Sequence, residues 1–371
     1  MKICMIGHKT VPQRGGGIEL VVEELATRMV EKGNKVTLFN RKRKGYPTEG
    51  DYKGIEVKDI FTINKKSLDA IVYSYFATKR VIKEAKKGNY DVIHFHAEGP
   101  CNFLNMFGKI GSKKRKKMPK IIVTIHGLDW QRSKWNRFAS SIIMRGERMA
   151  VKFADEIIVL SKNNQKYFME KYNRKTTYIP NGVSPAHLHE PEIIKDKWNL
   201  DKDGYILFLA RIVPEKGAHY LIEAWKQVKK QIQTDKKLVI AGGASHSLDY
   251  YKKIQDMVKD DDSIIMTDFV EGQTLDELYS NAYLYVLPSD IEGMPMSLLE
   301  ALSYGNCCLV SNIPENTEVI NGDCFVFEAG NVDRLRHQIK KIINLNIKTH
   351  ENAIQVYTWE DVVNKTIQLY K

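Results

Sequence analysis

The stretch Ala282-Tyr-Leu-Tyr-Val-Leu-Pro288 and the Glu292-Gly-Met-Pro-Met-Ser-Leu-Leu-Glu300 that follows it decide the fold of this chain. The apolar run predicts a buried strand, and Pro and Ser near residue 295 suit the first turn of a helix. The intervening loop carries Glu292, and the helix carries Glu300 about one and a half turns in. Free N–H groups at the head of that helix suit a phosphate or another anion. Taken alone, the pair is equally consistent with two solvated acids on a capped surface helix.

Apolar, β-branched runs alternate with helical patterns in both halves of the chain, which is typical of parallel βαβ units. In the first half, the predicted strands are 2–7, 35–40, 91–96, 120–126, 156–160 and 178–180, and the predicted helices are 18–32, 68–87 and 140–153. In the second half, the strands are 205–210, 237–241, 263–267, 283–287 and 307–311, and the helices are 220–233, 248–259, 275–281, 296–304 and 332–344. The sequence therefore predicts two doubly wound domains, divided within residues 181–203, where prolines and charges interrupt the pattern.

Length and composition favour a cytoplasmic protein of two domains. The chain has 371 residues, and single cores stop growing near about 250–300 residues. No run of about 18 uncharged apolar residues is present, and residues 1–7 are typical of a short strand and not of a signal peptide. The five cysteines are an odd number without CxxC spacing. That pattern favours reduced, mostly buried thiols over disulfides or a zinc site, and Cys307 and Cys308 are expected to pack in a core.

Charge is distributed unevenly along the chain. Residues 1–180 contain 37 Lys and Arg against 17 Asp and Glu, whereas residues 181–371 contain 20 against 28. The basic half includes the runs Arg41-Lys-Arg-Lys44 and Lys113-Lys-Arg-Lys-Lys117. It indicates a polyanionic partner, namely nucleic acid, an anionic membrane face or a phosphorylated substrate. A basic surface that serves only solubility is the alternative.

Aromatic residues near one group of cations favour the membrane among these partners. Trp130, Trp135 and Phe138 stand close in sequence to the cations Arg132, Lys134 and Arg137. Elsewhere few basic residues alternate with aromatic ones, as they would in a protein that binds single-stranded nucleic acid. The segment is more typical of an amphipathic surface that faces a membrane.

Loops that follow parallel strands should hold the polar residues of a binding site. After the first strand, Gly15, Gly16 and Gly17 precede a helix and permit close approach of a ligand to the backbone. The segment is neither GxGxxG nor a P-loop, so the familiar nucleotide motifs are absent. A flexible loop without a ligand is the alternative for these glycines.

Histidines stand at the ends of two strands in the first half. Thr124-Ile-His126-Gly127 places an imidazole at the end of the fourth predicted strand, although a structural histidine is the alternative. His94 and His96 end the third strand, and they are expected to face opposite sides of the sheet. Metal binding by the three histidines is disfavoured, because no carboxylate stands at ligand spacing.

Four consecutive strands of the second half end in residues that suit a nucleotide diphosphate. Arg211 and Lys216, beside the turn at Gly217, form a two-cation clamp for a diphosphate. The next strand ends in Gly242-Gly243, and the one after ends in Asp268-Phe-Val270, whose backbone groups are expected to bond the edge of a base. The fourth delivers Glu292. Glycine, cation, backbone and carboxylate at successive strand ends favour this pocket more than any one of them does.

At these residues the chain resembles the retaining nucleotide-sugar glycosyltransferases of GT-B fold, in the large bacterial family four group. The resemblance agrees in order and spacing and runs nearly end to end. It is carried by residues 15–17, 124–127, 154–161, 179–183, 211–217, 242–243, the glutamate pair and 300–305. It implies two Rossmann-like domains facing a central cleft. Residues 1–183, with a C-terminal helix at 357–371, would form the acceptor side, and residues 184–356 would bind the nucleotide sugar.

The resemblance also implies a role for each matching residue. Arg211 and Lys216 would hold the donor diphosphate, Glu300 the ribose and Glu292 the donor sugar. Val270 would meet the base, and His126 would lie at the reacting sugar. The complete set is Glu292 and His126 for catalysis; Arg211, Lys216, Gly243, Val270, Gly293, Met294 and Glu300 for donor binding; and Gly15, Gly16 and Gly17 for the phosphates or the acceptor.

The expected function is transfer of a hexose, with retention, from a UDP-, GDP- or dTDP-sugar to a lipid-linked or oligosaccharide acceptor in capsule or exopolysaccharide synthesis. Neither a metal nor a cofactor is expected, because two cations and a helix N-terminus already oppose the charge of the leaving diphosphate. Same-face attack, in which the leaving phosphate takes the acceptor proton, is preferred to double displacement through Glu292, because the family pattern supplies no obvious nucleophile. The enzyme is expected in the cytoplasm, on the inner face of the membrane, with its basic half against anionic lipid.

Two alternatives come from other functional classes. A sugar-nucleotide epimerase of the same fold would use the same diphosphate pocket and turn over donor alone. A basic module that binds nucleic acid or membrane would explain the charge but not the glutamate pair, and binding to nucleic acid would fall steeply with salt. We therefore expect no nucleic-acid partner.

Overall fold

The structure is a computed structural model that describes most of the chain in two compact units. It describes residues 1–12, 16–46, 49–65, 68–108, 118–131, 135–244, 247–320, 324–346 and 357–371. The first unit comprises Met1–Gly182 and Tyr357–Lys371, and the second comprises Val183–Val356. Gly15 of the predicted glycine loop, the cations Arg132 and Lys134, and the basic run at 113–117 lie outside the described residues.

The first unit contains a sheet of eight strands, parallel except at one edge. The strands are β1 (Lys2–Ile6), β2 (Lys35–Arg41), β3 (Gly50–Tyr52), β4 (Ile55–Ile60), β5 (Val92–His96), β6 (Lys120–Ile125), β7 (Glu156–Val159) and β8 (Thr177–Tyr178). Their order across the sheet is β3-β4-β2-β1-β5-β6-β7-β8, and only β3 pairs antiparallel. The order of the parallel strands reverses between β1 and β5, which is where an open α/β sheet places its binding crevice.

Helices cover both faces of this sheet. The α-helices are α1 (Gly17–Glu31), α2 (Asp69–Ala85), α3 (Asn105–Gly108), α4 (Arg137–Phe153), α5 (Lys162–Tyr172) and, from the end of the chain, α13 (Trp359–Tyr370). Helices α2, α4 and α5 share one core with the strands, through Tyr73, Ala150 and Phe168. Helix α1 packs against α13. The C-terminal helix begins with a capping box between Thr358 and Asp361, which satisfies two orphan backbone donors.

The second unit contains a fully parallel sheet of six strands. The strands are β9 (Tyr205–Leu209), β10 (Lys237–Ala241), β11 (Ile264–Asp268), β12 (Leu284–Leu287), β13 (Cys308–Ser311) and β14 (Phe325–Phe327). The order is β11-β10-β9-β12-β13-β14. Numbered within the unit, this is 3-2-1-4-5-6, the doubly wound order of dinucleotide-binding sheets, and it reverses between β9 and β12.

Alternating side chains of these strands build a core on each face. In β9, Ile206 and Phe208 enter one core, whereas Tyr205 and Leu207 enter the other. The helices are α6 (Ile193–Trp198), α7 (Ala218–Gln231), α8 (Leu248–Val258), α9 (Gln273–Ser280), α10 (Met296–Ser303), α11 (Pro314–Thr317) and α12 (Val332–Asn344). Cys307 joins the first core and Cys308 the second, which confirms that these thiols pack.

The structure confirms the predicted class of two doubly wound α/β units, and the predicted strands and helices are present with small shifts at their ends. Strands β3, β4 and β14 and helices α3, α5, α6 and α11 were not predicted. Strand β4 alternates buried and exposed positions, and β14 is only three residues long, so neither forms the continuous apolar run that marks a parallel strand. Helix α5 buries only Asn164 and Phe168, too few for a clear helical pattern.

Candidate functional site

The second unit brings four of the predicted strand ends together. Strands β11, β10, β9 and β12 are neighbours in that order and run parallel. Their carboxyl ends therefore lie along one edge of the sheet, followed by Val270, Gly243, Arg211 and Glu292 respectively. Arg211 and Glu292 follow the two strands on either side of the point where the strand order reverses. This edge holds all seven residues predicted to bind the donor, together with Glu292.

Lys216 and Glu292 form a salt bridge at this edge. The Lys216 ammonium nitrogen lies 2.5 Å from both carboxylate oxygens of Glu292. Both groups are largely removed from water, since the side chain of Lys216 is 15% exposed and that of Glu292 is 5% exposed. The sequence assigned the lysine to a diphosphate and the glutamate to a sugar, but it did not indicate that the two would pair with each other.

A chain of hydrogen bonds between buried polar residues holds the Glu292 carboxylate in place. The Ser289 hydroxyl donates to Oε1 of Glu292 at 2.7 Å. The Ser311 hydroxyl, at the end of β13, donates to the Ser289 carbonyl at 2.5 Å, and the Asn316 amide donates to the Ser311 hydroxyl at 3.0 Å. All three supporting residues are buried. Sequence reasoning missed them, although Ser311 ends a predicted strand next to β12.

The turn that carries Lys216 lies directly against the loop that carries Glu292. A short 3₁₀ turn, Pro214–Lys216, precedes Gly217, which has a positive φ of 70°. A Cβ atom at Gly217 would lie 2.0 Å from the carbonyl oxygen of Pro288, so only glycine permits this approach. The Asp290 N–H also donates to the carbonyl of Glu215 at 2.9 Å. These contacts fix the distance across the salt bridge.

Arg211 is the second cation at this edge, and its side chain is half-buried. Its backbone is fixed because the next residue, Ile212, donates its N–H to the carbonyl of Gly243 at 3.3 Å. Within the described residues, the guanidinium has neither an ion-pair nor a hydrogen-bond partner. Five N–H donors in a planar fork are therefore available to an anion at this edge.

Glu300 lies in the second turn of α10, where a buried tyrosine orients it. The hydroxyl of Tyr279 donates to Oε2 of Glu300 at 2.9 Å. Burial, and next the charge of Glu300, raise the pKa of Tyr279 well above its ordinary value, so the phenol keeps its proton and remains a donor. Gly293 is buried and Met294 half-buried, just ahead of Pro295, the N-cap of the helix. Sequence reasoning missed Tyr279, because nothing in the sequence of α9 indicates that its hydroxyl meets Glu300.

The segment at the end of β11 and just after it, residues 268–270, is the one expected to offer backbone groups to a base. Val270 is half-buried and packs against the core, as a residue beside a base would. The carbonyl of Asp268, however, accepts a hydrogen bond from the Gly242 N–H at 2.8 Å and is engaged in the main chain. The contact between backbone groups of residues 268–270 and a base stays a prediction. Phe269, between them, is 58% exposed.

In the first unit, the ends of β5 and β6 bring three histidines together. The Nδ1 atom of His96 lies 3.0 Å from Nε2 of His126, and the rings of His94 and His96 are 4.2 Å apart. The expectation that His94 and His96 face opposite sides is wrong, because residues two apart in a strand share one face. His94 also bonds the hydroxyls of Tyr370 at 2.6 Å and Thr124 at 2.7 Å.

Burial keeps two of these histidines, His94 and His96, uncharged. Burial, and next the charge of His126, lower the pKa of His94 to about 3. Burial, and next the charges of His94 and His126, hold the pKa of His96 well below its ordinary value. Nε2 of His96 is buried without a hydrogen-bond partner among the described residues. A lone pair there costs less than an unpaired N–H, so the proton resides on Nδ1 of His96, which donates to His126.

The glycine loop is described only in part. Gly16 is the N-cap of α1 in extended backbone, and Gly17 is the first helical residue. A Cβ atom on Gly17 would meet nothing within 4 Å, whereas one on Gly16 would lie 2.2 Å from the Glu19 carboxylate. Glu19 in turn accepts the Lys9 N–H at 3.0 Å, which ties the loop after β1 to the helix.

The basic features of the first unit are partly internal. Arg41 and Arg43 both donate to Asp69, which is buried, so two cations of the run at 41–44 serve an internal ion pair. Burial acts to raise the pKa of Asp69, but the two guanidinium groups and Thr62 outweigh it and leave that pKa lowered. The indole of Trp130 donates to buried Glu147 at 3.2 Å. Trp130 is half-buried and its indole is held by this bond, whereas Phe138 of the same predicted segment is 75% exposed.

Two further observations bear on the chemistry. Across the described residues, no group of three or more His, Cys, Asp or Glu side chains is arranged to hold a metal ion. No helix in the described part of the chain combines the length and apolar character needed to cross a bilayer.

Two protein families match the chain in succession. Residues 15–187 match the family described as Glycosyltransferase Family 4, and residues 190–357 match the family described as Glycosyl transferases group 1. Together the two matches span both units. They contain the residues predicted to bind the donor and the three histidines at the ends of β5 and β6, but not the C-terminal helix with Tyr370.

Individual proteins are similar along most or all of their length. An uncharacterized glycosyltransferase of Methanocaldococcus jannaschii is 25% identical over 100% of this chain and 98% of its own. The UDP-Gal:alpha-D-GlcNAc-diphosphoundecaprenol alpha-1,3-galactosyltransferase of Escherichia coli is 24% identical over 73% of this chain and 72% of its own. The crystal structure of Anabaena Alr3699/HepE in complex with UDP and glucose matches with a TM-score of 0.74 at 17% identity, covering 100% of this chain and 99% of that one. The last likeness shows the fold, which is GT-B.

Proposed function

Because the chain belongs to the superfamily of group 1 and family 4 glycosyltransferases, we propose that it transfers a hexose from a nucleotide-diphosphate sugar to a lipid-linked or oligosaccharide acceptor, with retention of anomeric configuration. The observation that carries this proposal is the edge of the second sheet, where Arg211, Lys216, Glu292 and Glu300 follow β9 and β12 on either side of the strand reversal. Two cations and two carboxylates at one such edge match the charges and hydroxyls of a sugar nucleotide.

Each charged group has a part in binding the donor. Arg211, whose guanidinium is not engaged by another described side chain, holds the diphosphate through paired N–H donors. Glu300, oriented by Tyr279, accepts hydrogen bonds from the ribose hydroxyls. Val270 borders the base, and Gly243 leaves room for the backbone to approach it. Gly293 and Met294 present their N–H groups to the sugar and the phosphate at the head of α10.

The Lys216–Glu292 salt bridge has to change when the donor binds. Each group satisfies the other in the structure, so neither is left as an uncompensated buried charge. A diphosphate that approaches Lys216 shares its positive charge, which lets the Glu292 carboxylate turn toward the sugar hydroxyls. Ser289 keeps its hydrogen bond to Glu292 and limits that movement. The pair thereby couples recognition of the phosphate to recognition of the sugar.

Bond cleavage at the anomeric carbon places negative charge on the diphosphate and positive charge on the sugar. Arg211, Lys216 and the N-terminus of α10 stabilise the diphosphate as it leaves, as preorganised donors do without reorganisation. The acceptor attacks from the same face, and the leaving phosphate takes the acceptor proton. For His126 and for residues 15–17 we keep the roles that the family resemblance implies, at the reacting sugar and at the phosphates or the acceptor. The reaction needs neither a metal ion nor a cofactor.

The relatives favour a donor and an acceptor class for the proposal. The Escherichia coli relative is named for UDP-Gal and a diphosphoundecaprenol acceptor, and the Anabaena structure holds UDP and glucose. We therefore place UDP-sugars first, ahead of GDP- and dTDP-sugars, and a lipid diphosphate sugar as acceptor in polysaccharide synthesis of capsule or exopolysaccharide type. The protein acts in the cytoplasm on the inner face of the membrane, and its basic first unit contacts anionic lipid.

A donor panel followed by a transfer assay tests this function. UDP-, GDP- and dTDP-sugars are screened for thermal stabilisation, and the best donor is then incubated with a lipid-diphosphate sugar. The expected result is a new glycoside whose anomer, read by NMR, matches the donor. Turnover of donor alone would indicate an epimerase instead, and oligonucleotide binding with a steep salt dependence would indicate a nucleic-acid module.

A further inference from the structure

The first unit exposes a cluster of large apolar side chains around the start of α2. Phe61 is 54% exposed, Leu68 is 44% exposed, and Ile63, Tyr75 and Phe76 are each 38% exposed. We name these five residues the aromatic face. Its rings contact one another edge to face, with centroids 5.3 Å apart for Phe61 and Phe76 and 5.2 Å apart for Tyr75 and Phe76. Single exposed apolar residues need no explanation, but a contiguous group marks an interaction site.

The sequence of α2 shows why these residues are left outside. The helix buries Tyr73, Ala77 and Val81 against the sheet. Those positions recur every four residues on one side of the helix, so the side chains of Tyr75 and Phe76 point away from the core. The ring of Tyr75 also lies 5.4 Å from that of Phe103, which extends the apolar surface toward the 3₁₀ turn Gly99–Phe103.

The exposed charges of the described residues along the segment that carries the aromatic face are of one sign. Lys65, Lys79 and Lys83 are exposed beside it. The only acid between residues 60 and 83 is Asp69. Asp69 is buried, and Arg41 and Arg43 neutralise it. Exposed apolar side chains beside exposed lysines, in a segment whose described residues include no exposed acid, match the layers of a bilayer surface, which are acyl chains below anionic headgroups.

We propose that the aromatic face docks the first unit onto a bilayer that contains anionic phospholipid. The aromatic and aliphatic side chains enter the headgroup region, and Lys65, Lys79 and Lys83 lie at the level of the phosphates. This inference rests on the proposed use of a lipid-linked acceptor, and it gives the membrane contact a location. That location differs from the segment favoured by the sequence, because Trp130 is bonded to Glu147 and the basic run at 41–44 is half engaged by Asp69.

Co-sedimentation of the full chain with vesicles tests the proposal. The vesicles are phosphatidylcholine alone or phosphatidylcholine mixed with phosphatidylglycerol, at low and high salt. The wild type is expected to bind the anionic vesicles and to lose that binding as salt rises. Phe61→Ser with Phe76→Ser should weaken binding by about tenfold or more, because two apolar side chains no longer enter the bilayer. Lys79→Gln with Lys83→Gln should weaken it by about fivefold per lysine.

Matched variants in the second unit provide the controls. Leu248→Ser replaces an apolar residue that is 62% exposed, and Lys252→Gln with Lys259→Gln removes two exposed lysines. Both controls should bind vesicles like the wild type. UDP affinity and melting temperature are measured on every variant, because unchanged values show that the variants fold and that the donor site is intact.

Each outcome decides a different point. Loss of vesicle binding in the aromatic-face variants, with UDP affinity retained, supports the proposal. Equal binding by the wild type and the Phe61→Ser, Phe76→Ser variant overturns the location and leaves the glycosyltransferase proposal intact. A wild type that binds no vesicles overturns both the location and the membrane contact. A wild-type dimer that the same variant dissociates, without vesicle binding, would assign the face to a second copy of the chain and overturn the proposal.

Discussion

The two sheets place very different side chains at the same topological position. In the second unit, the strands beside the reversal lead to Arg211, Lys216 and Glu292, which are charged. In the first unit, the strands beside the reversal are β1 and β5, which lead to His8 and His96, and burial lowers the pKa of both imidazoles so that they are neutral. One edge is built to attract an ionic ligand, and the other holds hydrogen-bonding rings without charge.

The difference shows that the fold fixes where a site lies but not its chemistry. Lys216 and Glu292 neutralise each other's charge in the structure. Each of them can form new contacts when an ionic ligand binds. In the histidine cluster, both ring nitrogens of His94 are already bonded to Tyr370 and Thr124 inside the unit, so this ring does not change partners when a ligand binds. We therefore expect substitutions at the charged edge to act mainly on donor binding and turnover, and substitutions of His94 and Tyr370 to act mainly on stability.

The largest effect is expected for Lys216→Met. The substitution removes one of two cations from the diphosphate, and loss of a single preorganised donor lowers turnover by about 10²–10³. It also leaves Glu292 buried without its cation, which should lower the free energy of unfolding by about 3 kcal/mol. Transfer rates and urea unfolding measure the two effects. Lys253→Met, at an exposed position of α8, is the control, and a Lys216→Met rate within threefold of wild type would contradict the assignment.

The histidines of the first unit should make stability depend on pH. Burial, opposed by the Asn40 hydrogen bond and by Glu19, lowers the pKa of His8 to about 4, and burial lowers that of His94 to about 3. The unfolded chain binds these protons near pH 6.5, whereas the folded unit binds them only well below it. The contribution of these histidines to the free energy of unfolding is therefore fully present above pH 6.5. It falls as pH decreases toward 4, by about 1.4 kcal/mol per pH unit for each histidine.

The melting temperature measured from pH 7.5 to pH 5 checks this dependence. His94→Gln keeps hydrogen-bonding capacity toward Tyr370 and Thr124 but does not titrate, so its loss of melting temperature over this range should be smaller than that of the wild type. An identical pH dependence in the two proteins would show that His94 is not held neutral by burial.

A smaller effect on donor affinity is expected for Tyr279→Phe. The phenol orients Glu300 through one hydrogen bond, and its removal costs about 1 kcal/mol, which is about fivefold in the dissociation constant of UDP. Tyr285→Phe is the matched control, since Tyr285 is equally buried but donates to Ser297 at 2.8 Å. If Glu300 binds the ribose, 2′,3′-dideoxy-UDP should bind both variants alike. A fivefold loss that persists with the dideoxy nucleotide would point to a general packing defect instead.

The smallest effect is expected for Tyr370→Phe, at the end of the C-terminal helix. It removes the hydrogen bond to His94 and should lower the free energy of unfolding by about 1 kcal/mol without changing UDP affinity. Urea unfolding and calorimetry measure the two quantities. A loss of UDP affinity in Tyr370→Phe would break the division between a stability cluster and a donor site.

Sequence patterns predicted the features that depend on chain order. Parallel strands can be recognised as apolar runs, and the residues after β9 to β12 follow at once, so Arg211, Gly243, Val270 and Glu292 could be placed at one edge. The class of fold and the helix that carries Glu300 were predicted for the same reason. Strand β4 was not, because its alternating pattern differs from that of a buried strand.

Features that depend on which side chains meet could not be predicted. The pairing of Lys216 with Glu292 requires the close approach at Gly217, and the support from Ser311 and Asn316 crosses from β13. The aromatic face depends on which side of α2 is covered, and its sequence shows only that the helix is apolar. Periodicity could have placed His94 and His96 on one face, since they are two residues apart in a strand.

Calorimetric titration of the full chain with UDP, GDP and dTDP tests the central claim most directly, using the wild type, Arg211→Ala and Arg334→Ala. Arg334 is an exposed arginine of α12 in the same unit and serves as the control. The account predicts that one of these nucleotides binds the wild type and Arg334→Ala equally, and that Arg211→Ala weakens binding by about 10- to 100-fold, the cost of a charge-assisted hydrogen bond to phosphate. Equal affinity of Arg211→Ala and Arg334→Ala would contradict a donor diphosphate at the ends of β9 and β12.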